Sequence, residues 1–190
     1  MNSHKYENVK LIIIKVLAIK VGLDIDSSFY NKNTYFMNLS FRKALESDIS
    51  AIITLLFEDS LGQSREKKDQ DSYLRYLEAF TEIDKDPNHY LMVVELKGEI
   101  VASCHLTLLP SLTYCGSKRM LIEAVRVHKD YRNQKIGESM LNEAIKYAKS
   151  KHVSIIQLTT NIDRFKAIEF YKQNGLEQTH VGFKMHIEKK

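Results

Sequence analysis

From Leu39 onward, apolar and polar residues follow two regular spacings that are missing from the residues before it. Alternation predicts strands, and apolar residues three and four positions apart predict amphipathic helices. The predicted strands are Leu39–Lys43, 90–96, Glu99–Leu109, Arg119–Val127, 154–160 and 177–187. The predicted helices are one that begins after an N-cap at Ser47, followed by 66–83, 137–151 and 164–173. This order predicts the α/β class, with mixed layers of strands and helices in one domain at 37–190.

Residues 1–36 form a segment of different character. Its apolar stretch is interrupted by Lys10, Lys15 and Lys20, so it lacks the unbroken apolar core of a secretory signal. Lysines at this spacing wind around a helix and form no single polar stripe, which argues against a helix on a membrane surface. We interpret 1–36 as an extension that docks poorly, or as translation from upstream of a start at Met37.

The chain has 190 residues, with 28 Lys and Arg against 24 Asp and Glu and a formal net charge of +4. This excess is small and the two signs are interspersed, so we expect no nucleic-acid partner. No run of about 18 uncharged apolar residues could span a membrane. The 2 cysteines exclude a disulfide scaffold, and the 7 histidines lack ligand spacing, so no metal site is predicted. We therefore expect a cytoplasmic globular protein without a membrane partner.

The strongest chemical motif lies in a strand, turn and helix at residues 120–151. The turn and the helix start are Arg132-Asn133-Gln134-Lys135-Ile136-Gly137. A helix start leaves N–H groups without intrahelical partners and carries about half a positive charge from the helix dipole, so it binds anions. Arg132 and Lys135 add to that charge. The residues allow two interpretations, a phosphate site or a helix start where Gly137 permits close packing.

A second motif lies downstream, Ala167-Ile168-Glu169-Phe170-Tyr171-Lys172-Gln173-Asn174-Gly175-Leu176. Together, with a predicted strand between them, the two motifs resemble those of the GNAT superfamily of acetyl-CoA-dependent N-acetyltransferases. The first family motif is Arg/Gln-x-x-Gly-x-Gly/Ala, and Lys135 replaces its first glycine here. The second is Ala-x-x-(Phe/Leu)-Tyr-x-x-x-Gly-(Phe/Leu). The resemblance covers nearly all of residues 39–187.

This resemblance implies a splayed, mostly antiparallel sheet flanked by helices, with acetyl-CoA as the co-substrate. The pantetheine arm would enter between the strands Arg119–Val127 and 154–160. The implied cofactor-binding residues are Val125, Arg126 and Val127 along the arm, and Arg132, Asn133, Gln134, Lys135, Ile136, Gly137 and Glu138 at the pyrophosphate. Arg164 stands where many members carry Asn, and it either contacts a cofactor phosphate or faces solvent at a helix start.

Acetyl transfer to an amine needs a base for the amine proton and an acid for the leaving thiolate. Glu123 is the candidate base, because a carboxylate in an otherwise apolar strand needs a reason, and it is a Glu in similar acetyltransferases of the spermidine/spermine and aminoalkylphosphonate types. An ion pair with Arg119 or Arg126 is the alternative. Tyr171 is the candidate acid, since a phenol with a pKa of about 10 stays protonated, and helix packing is its alternative role. A backbone N–H near Val125 would polarise the thioester carbonyl.

The acceptor that the resemblance implies is a primary amine of a small molecule, similar in type to aminoalkylphosphonates. Residues 62–86 would form one wall of its pocket. A peptide or protein amine is an alternative acceptor. A catalytically silent acyl-CoA-binding module that regulates a partner is an alternative of another class, motivated by Lys135. Association into a homodimer would use the C-terminal strands.

Overall fold

The computed structural model describes residues 38–58 and 62–187, so the interpretation of 1–36 concerns residues outside the described part. The strands are β1 (Leu39–Lys43), β2 (His89–Leu96), β3 (Glu99–Leu109), β4 (Arg119–Val127) and β5 (Ile155–Leu158). The helices are α1 (Ile49–Phe57), α2 (Gln70–Lys85), α3 (Ile136–Ser150) and α4 (Phe165–Gln173), with short helical turns at Glu46–Asp48, Thr113–Gly116 and Lys129–Tyr131.

The strands of the described residues form one five-stranded sheet whose spatial order is the chain order, β1 to β5. Neighbours from β1 to β4 are antiparallel, whereas β4 and β5 are parallel. A two-residue turn joins β2 to β3 through Lys97 and Gly98, whose φ angles of 53° and 85° are those a tight hairpin requires. The predicted hairpin and the mixed, mostly antiparallel α/β class are confirmed.

Helices α1 and α2 pack on one face of the sheet and α3 packs on the other. The core of the first face consists of Ala44, Ile49, Ile52, Ile53, Phe80 and Val93. On the second face, Met140, Leu141 and Ala144 of α3 lie against Cys104 and Ile122. Because successive side chains of a strand point to opposite faces, β4 presents Ile122 to α3 and Glu123 to the face that carries α1 and α2.

The start of α1 differs from the prediction, because Ser47 is not its N-cap and the helix begins at Ile49. Asp48 organises this corner instead. Its carboxylate accepts hydrogen bonds from both terminal nitrogens of Arg42, at 2.6 and 3.1 Å, and from the N–H of Leu45 at 2.8 Å. The hydrogen bond from Arg42 is the main cause that holds the pKa of Asp48 below its usual value. A bidentate charged pair is stronger than a serine cap, so it decides the local geometry.

The predicted strand at 177–187 is wrong, since no strand follows α4 in the described residues. The alternating apolar residues that suggested it, Val181, Phe183, Met185 and Ile187, are at least 80% exposed. Alternation produces a strand only where a neighbour supplies hydrogen bonds and an apolar surface, and the described strands supply neither to this segment. The described sheet therefore ends at β5, which has 4 residues and is shorter than predicted.

Candidate active site

Strand β4 contains a β-bulge beside Ala124. Arg126 pairs with Ser103 and Glu123 pairs with His105, so two residues of β4 stand opposite Cys104 alone. Ala124 has a φ of 49°, a left-handed conformation that a non-glycine residue adopts at some cost. The bulge shifts the alternation of side chains, so Val125 faces α3 although it lies three positions after Ile122, which faces the same way.

Strands β4 and β5 separate immediately before this bulge. Their parallel pairing covers Arg119 to Ile122 on β4 and Ile155 to Leu158 on β5. Strand β4 then continues to Val127 without β5 beside it, although it still pairs with β3 on its other edge. Strand edges offer N–H and C=O groups to any extended chain that lies along them. The separation therefore opens a gap in the sheet beside residues 123–127.

A narrow apolar cleft lies on the α3 side of this gap. Its walls come from β3, β4, α3 and α4, namely Cys104, Ile122, Val125, Gly137, Met140, Leu141, Ala144, Phe170 and Tyr171. The cleft brings together three residues predicted for the site, Val125, Gly137 and Tyr171. Burial raises the pKa of the Cys104 thiol to about 12, so this cysteine remains protonated and is unsuited to act as a nucleophile.

Tyr171 reaches the cleft from α4, with its ring edge-on to that of Phe170 at a centroid distance of 5.3 Å. Burial raises the pKa of Tyr171 above its usual value, and the positive charges of Arg126 and Arg164 partly oppose that rise. The phenol is therefore protonated at neutral pH and can donate a hydrogen bond or a proton. Two of the three arginines predicted to bind the cofactor, Arg126 and Arg164, thus lie close enough to act electrostatically on this hydroxyl.

The turn predicted to bind an anion lies between β4 and α3. After the short helical turn Lys129–Tyr131, the chain passes through two left-handed residues, Asn133 and Lys135, with φ angles of 61° and 60°. The hydrogen bonding of α3 starts with the Ser139 N–H, which donates to the Lys135 carbonyl at 2.9 Å. The N–H groups of Ile136 to Glu138 therefore have no carbonyl partner inside the helix.

Two side chains stabilise this turn by donating hydrogen bonds to its backbone carbonyls. Arg132 donates from Nε to the Val127 carbonyl at 3.1 Å, and Gln134 donates from Nε2 to the Asp130 carbonyl at 2.9 Å. Both side chains thus bond the turn itself. The groups left for an anion are the backbone N–H groups and the exposed ammonium of Lys135.

The two glycine positions of the motif differ in what the backbone requires of them. Lys135 occupies the position of the first glycine with a φ of 60°, a conformation that costs an L-residue about 1–2 kcal/mol and glycine nothing comparable. Lysine is accommodated there because its side chain points to solvent. A Cβ on Gly137 would make ordinary contacts, 3.5 Å from Phe170 and 3.8 Å from Val127. Close packing therefore does not require a glycine at 137.

Glu123 lies on the opposite face of the sheet from Tyr171, and the two flank the same gap. Its side chain is exposed. Arg119 donates to Gln157 Oε1 at 3.2 Å, and Arg126 donates to the Val125 carbonyl at 2.8 Å.

Two histidines beside Glu123 were not found by sequence reasoning. His105 is the cross-strand partner of Glu123, and its Nε2 lies 2.8 Å from Nδ1 of His89 on β2. The hairpin turn alone would place His89 opposite Leu106. A second bulge, between Val94 and Glu95, shifts the register by one residue and brings the two histidines to the same face.

In the part of the chain described, no helix is long and apolar enough to cross a membrane. The same residues contain no group of three or more His, Cys, Asp or Glu side chains that could hold a metal ion.

The model of the acetyltransferase (GNAT) family matches residues 51–176, and the chain belongs to this family. Enzymes of this family use acetyl-CoA as the acetyl donor.

Individual relatives are similar over different lengths. The crystal structure of a transcriptional regulator from Bacillus halodurans C-125 is 40% identical, covers 79% of this chain and 100% of its own, and has a TM-score of 0.76. The aminoalkylphosphonate N-acetyltransferase of Salmonella typhimurium is 29% identical over 116 residues, 61% of this chain and 75% of that enzyme. An uncharacterised N-acetyltransferase of Methanocaldococcus jannaschii is 38% identical over 60 residues, 32% of this chain. That match spans only 26% of the archaeal protein.

Proposed function

We propose that this protein transfers the acetyl group of acetyl-CoA to a primary amine of a small molecule, by direct attack of the amine in a ternary complex. The observation that carries the proposal is the gap beside β4, where β5 stops at Leu158 and β4 continues to Val127. An extended arm laid along this edge leads from the bulge at Ala124 to the turn that starts α3. A pantetheine arm with a pyrophosphate at its far end has this form.

The cofactor contacts follow from this placement. Val125, Arg126 and Val127 pair with the pantetheine amides through their backbone, in the way that an added strand pairs with a sheet edge. The pyrophosphate binds the N–H groups from Asn133 to Glu138, where the helix dipole and Lys135 favour negative charge. Arg164, at the N-cap of α4, contacts a cofactor phosphate.

The proposed chemistry uses the two faces of the gap. An alkyl amine with a pKa of about 10 is mostly protonated at pH 7, so Glu123 removes its proton directly or through one water. The amine nitrogen then forms a bond to the thioester carbon, whose oxygen accepts a hydrogen bond from a backbone N–H at the bulge. When the C–S bond breaks, the Tyr171 hydroxyl donates a proton to the thiolate. The acylated nitrogen loses its second proton to water, which leaves the neutral amide, and Tyr171 regains a proton from solvent.

The test is the release of free CoA thiol from acetyl-CoA in the presence of a panel of amines. The panel contains aminoalkylphosphonates, polyamines, aminoglycosides and a peptide with a free N-terminus. We expect amine-dependent release for at least one small amine. A Lys135→Glu variant should weaken acetyl-CoA binding at least 10-fold, whereas Lys146→Glu, on the exposed side of the same helix, should not. Thiol release with the peptide alone would move the acceptor to a protein amine.

We further propose that the acceptor carries an anionic group. The Salmonella relative is named for aminoalkylphosphonates, which combine an amine with such a group. In the segment 62–86 a pocket is lined by Arg65, Lys67, Arg75, Ser72 and Tyr76, three of them cationic. Arg75→Gln should raise the KM for an aminoalkylphosphonate several-fold and leave the KM for a neutral-tailed alkyl amine unchanged. An equal effect on both amines would contradict an anion subsite.

A regulatory module that binds acyl-CoA without turnover is the second candidate function. It is favoured by the 40% identical structure, which carries the name of a transcriptional regulator. The two functions differ in one result, because the module predicts tight acetyl-CoA binding without thiol release for any amine of the panel.

We also propose that two copies associate through residues 177–187. Their exposed apolar side chains form a continuous alternating pattern, and Gly182 lies against Thr159, directly after β5. A second copy of this chain would cover that pattern and extend the sheet. Light scattering should give the dimer mass for the wild type and the monomer mass for Phe183→Asp. A monomeric wild type would contradict the association.

A further inference from the structure

The histidine pair beside Glu123 offers a path for the proton that acetylation of an ammonium must release. An alkylammonium and acetyl-CoA give an amide, free CoA thiol and one proton, so one proton must leave the site in each turnover. The described residues nearest to Glu123 across the ladder are those of β3, where His105 stands directly opposite. Side chains so placed have Cβ atoms about 4.5–5.5 Å apart, a separation that a carboxylate and an imidazole can bridge directly or through one water.

The contacts of the two imidazole rings indicate which nitrogen of each ring carries the proton. His105 Nε2 lies 2.8 Å from His89 Nδ1, and the Thr107 hydroxyl lies 3.3 Å from the same Nδ1. On its other side, His89 Nε2 lies 3.7 Å from an Asp86 carboxylate oxygen, which favours a proton on that nitrogen. Nδ1 of His89 is then an acceptor, so His105 carries its proton on Nε2 and presents Nδ1 as a lone pair.

The middle of this path is less exposed than its two ends. Asp86 is 45% exposed at its side chain and His89 27%, both histidines are half-buried, and Glu123 is exposed. Burial, assisted by the neighbouring His89, lowers the pKa of His105, so its imidazole is neutral at pH 7. A neutral imidazole with one N–H and one lone pair can accept a proton on one nitrogen and release another from the second.

We propose that His105 and His89 form a proton relay that carries the proton of the acceptor amine from Glu123 to Asp86 and the solvent. This relay rests on the proposed function, because Glu123 must first take the proton. The protonated Glu123 gives its proton to Nδ1 of His105, and the proton on Nε2 of His105 passes to Nδ1 of His89. The proton on Nε2 of His89 then leaves through Asp86 or water, and deprotonated Glu123 is restored. Both imidazoles then carry their proton on Nδ1 and regain the starting tautomers by proton exchange with solvent or by rotation of the rings. The titratable groups that face His105 are Glu123 from β4, His89 from β2 and, behind His89, Asp86.

The test compares kcat over pH 6–9 for the wild type, Glu123→Gln, His105→Gln and the control His152→Gln, an exposed histidine after the end of α3. We expect His105→Gln to lower kcat at least 10-fold at pH 7 with an unchanged KM for acetyl-CoA. Added imidazole should restore part of the lost rate, a rescue that a merely structural role of His105 would not show. The relay is overturned alone if His105→Gln keeps wild-type kcat while Glu123→Gln is inactive. A wild type that acetylates no amine overturns the proposed function and the relay with it.

A second readout applies if His105→Gln does not fold. Nitrogen-15 NMR of the wild-type histidines distinguishes the two imidazole tautomers without any substrate. The relay predicts that His105 is protonated on Nε2 and that His89 accepts at Nδ1. A His105 protonated on Nδ1 would contradict the relay. In that case we also expect His89→Gln to leave kcat unchanged.

Discussion

The two halves of β4 differ in their strand pairing and in the burial of their side chains. From Arg119 to Ile122 the strand pairs with β3 on one side and β5 on the other, and Met120 and Ile122 are almost fully buried. From Glu123 to Val127 it has a bulge, lacks β5 beside it and carries exposed positions. The first half stabilises the fold, whereas the second half holds backbone groups and a carboxylate available for a ligand.

This comparison explains why one strand can carry both a core and a site. The bulge at Ala124 shifts the side-chain alternation by one residue, so apolar residues still face α3 on both sides of it. Without that shift Val125 would point away from the cleft. The left-handed residue Ala124 therefore lies just after the point where β4 stops pairing with β5.

Removal of the carboxylate from the second half should have the largest effect on activity. Glu123→Gln keeps the shape of the side chain and removes the base, so kcat/KM should fall about 10²–10⁴-fold at pH 7. Steady-state thiol release measures this, with Glu143→Gln on the surface of α3 as the matched control. Retention of more than a third of wild-type activity would mean that another group takes the amine proton.

A change in the first half should affect stability instead of activity. Met120 is fully buried, so Met120→Ala should lower the free energy of unfolding by about 2–5 kcal/mol. Urea denaturation measures the loss. Below the unfolding transition the variant should keep its kcat, because Met120 lies in the half of β4 that pairs with β5. A folded variant with a large loss of kcat would show that the two halves are not separable.

Tyr171→Phe separates the acid role of the hydroxyl from the packing role of the ring in the cleft. The ring and its packing stay, so stability should change little, while kcat should fall about 100-fold through loss of the acid. Because burial raises the pKa of Tyr171, the tyrosine stays protonated through neutral pH, and the wild-type rate should not decline from its ionisation below its usual pKa of about 10. A stopped-flow pH profile tests both points. Unchanged kcat would leave Tyr171 with a packing role.

The smallest effect concerns the left-handed Lys135. Lys135→Gly relieves the conformational strain but frees the unfolded chain, so we expect a net gain of about 0.5 kcal/mol in stability. Lys146→Gly, in the right-handed interior of the same helix, should instead lose about 1 kcal/mol. Thermal unfolding of both variants measures the difference. Equal losses would contradict the assignment of Lys135 to a strained position.

The sequence allowed the central strands to be predicted well because their patterns are local. The bounds of β3 and β4 and the two-residue hairpin agree with the prediction, and the turn at 132–137 lies where its motif placed it. Features decided by distant partners were missed. The Arg42–Asp48 ion pair, and not a cap by Ser47, organises the start of α1. Residues 177–187 have the alternation of a strand but pair with none of the described strands.

The site was predictable to the same degree. The helix-start turn and Tyr171 belong to local motifs, and both lie at the cleft or its mouth. The pairing of His105 with Glu123 and its contact with His89 depend on two bulges, at Val94 and at Ala124. A bulge changes register by one residue and leaves no clear signal in a single sequence.

The central claim is that acetyl-CoA lies along the second half of β4 and ends at the start of α3. Amide hydrogen exchange of the full chain with and without saturating acetyl-CoA tests it residue by residue. The account predicts slower exchange at Val125, Val127 and the N–H groups of 136–138, and no change at Met120 and Ile122, which are already paired on both sides. Equal exchange at 125–127 with and without the cofactor would contradict it.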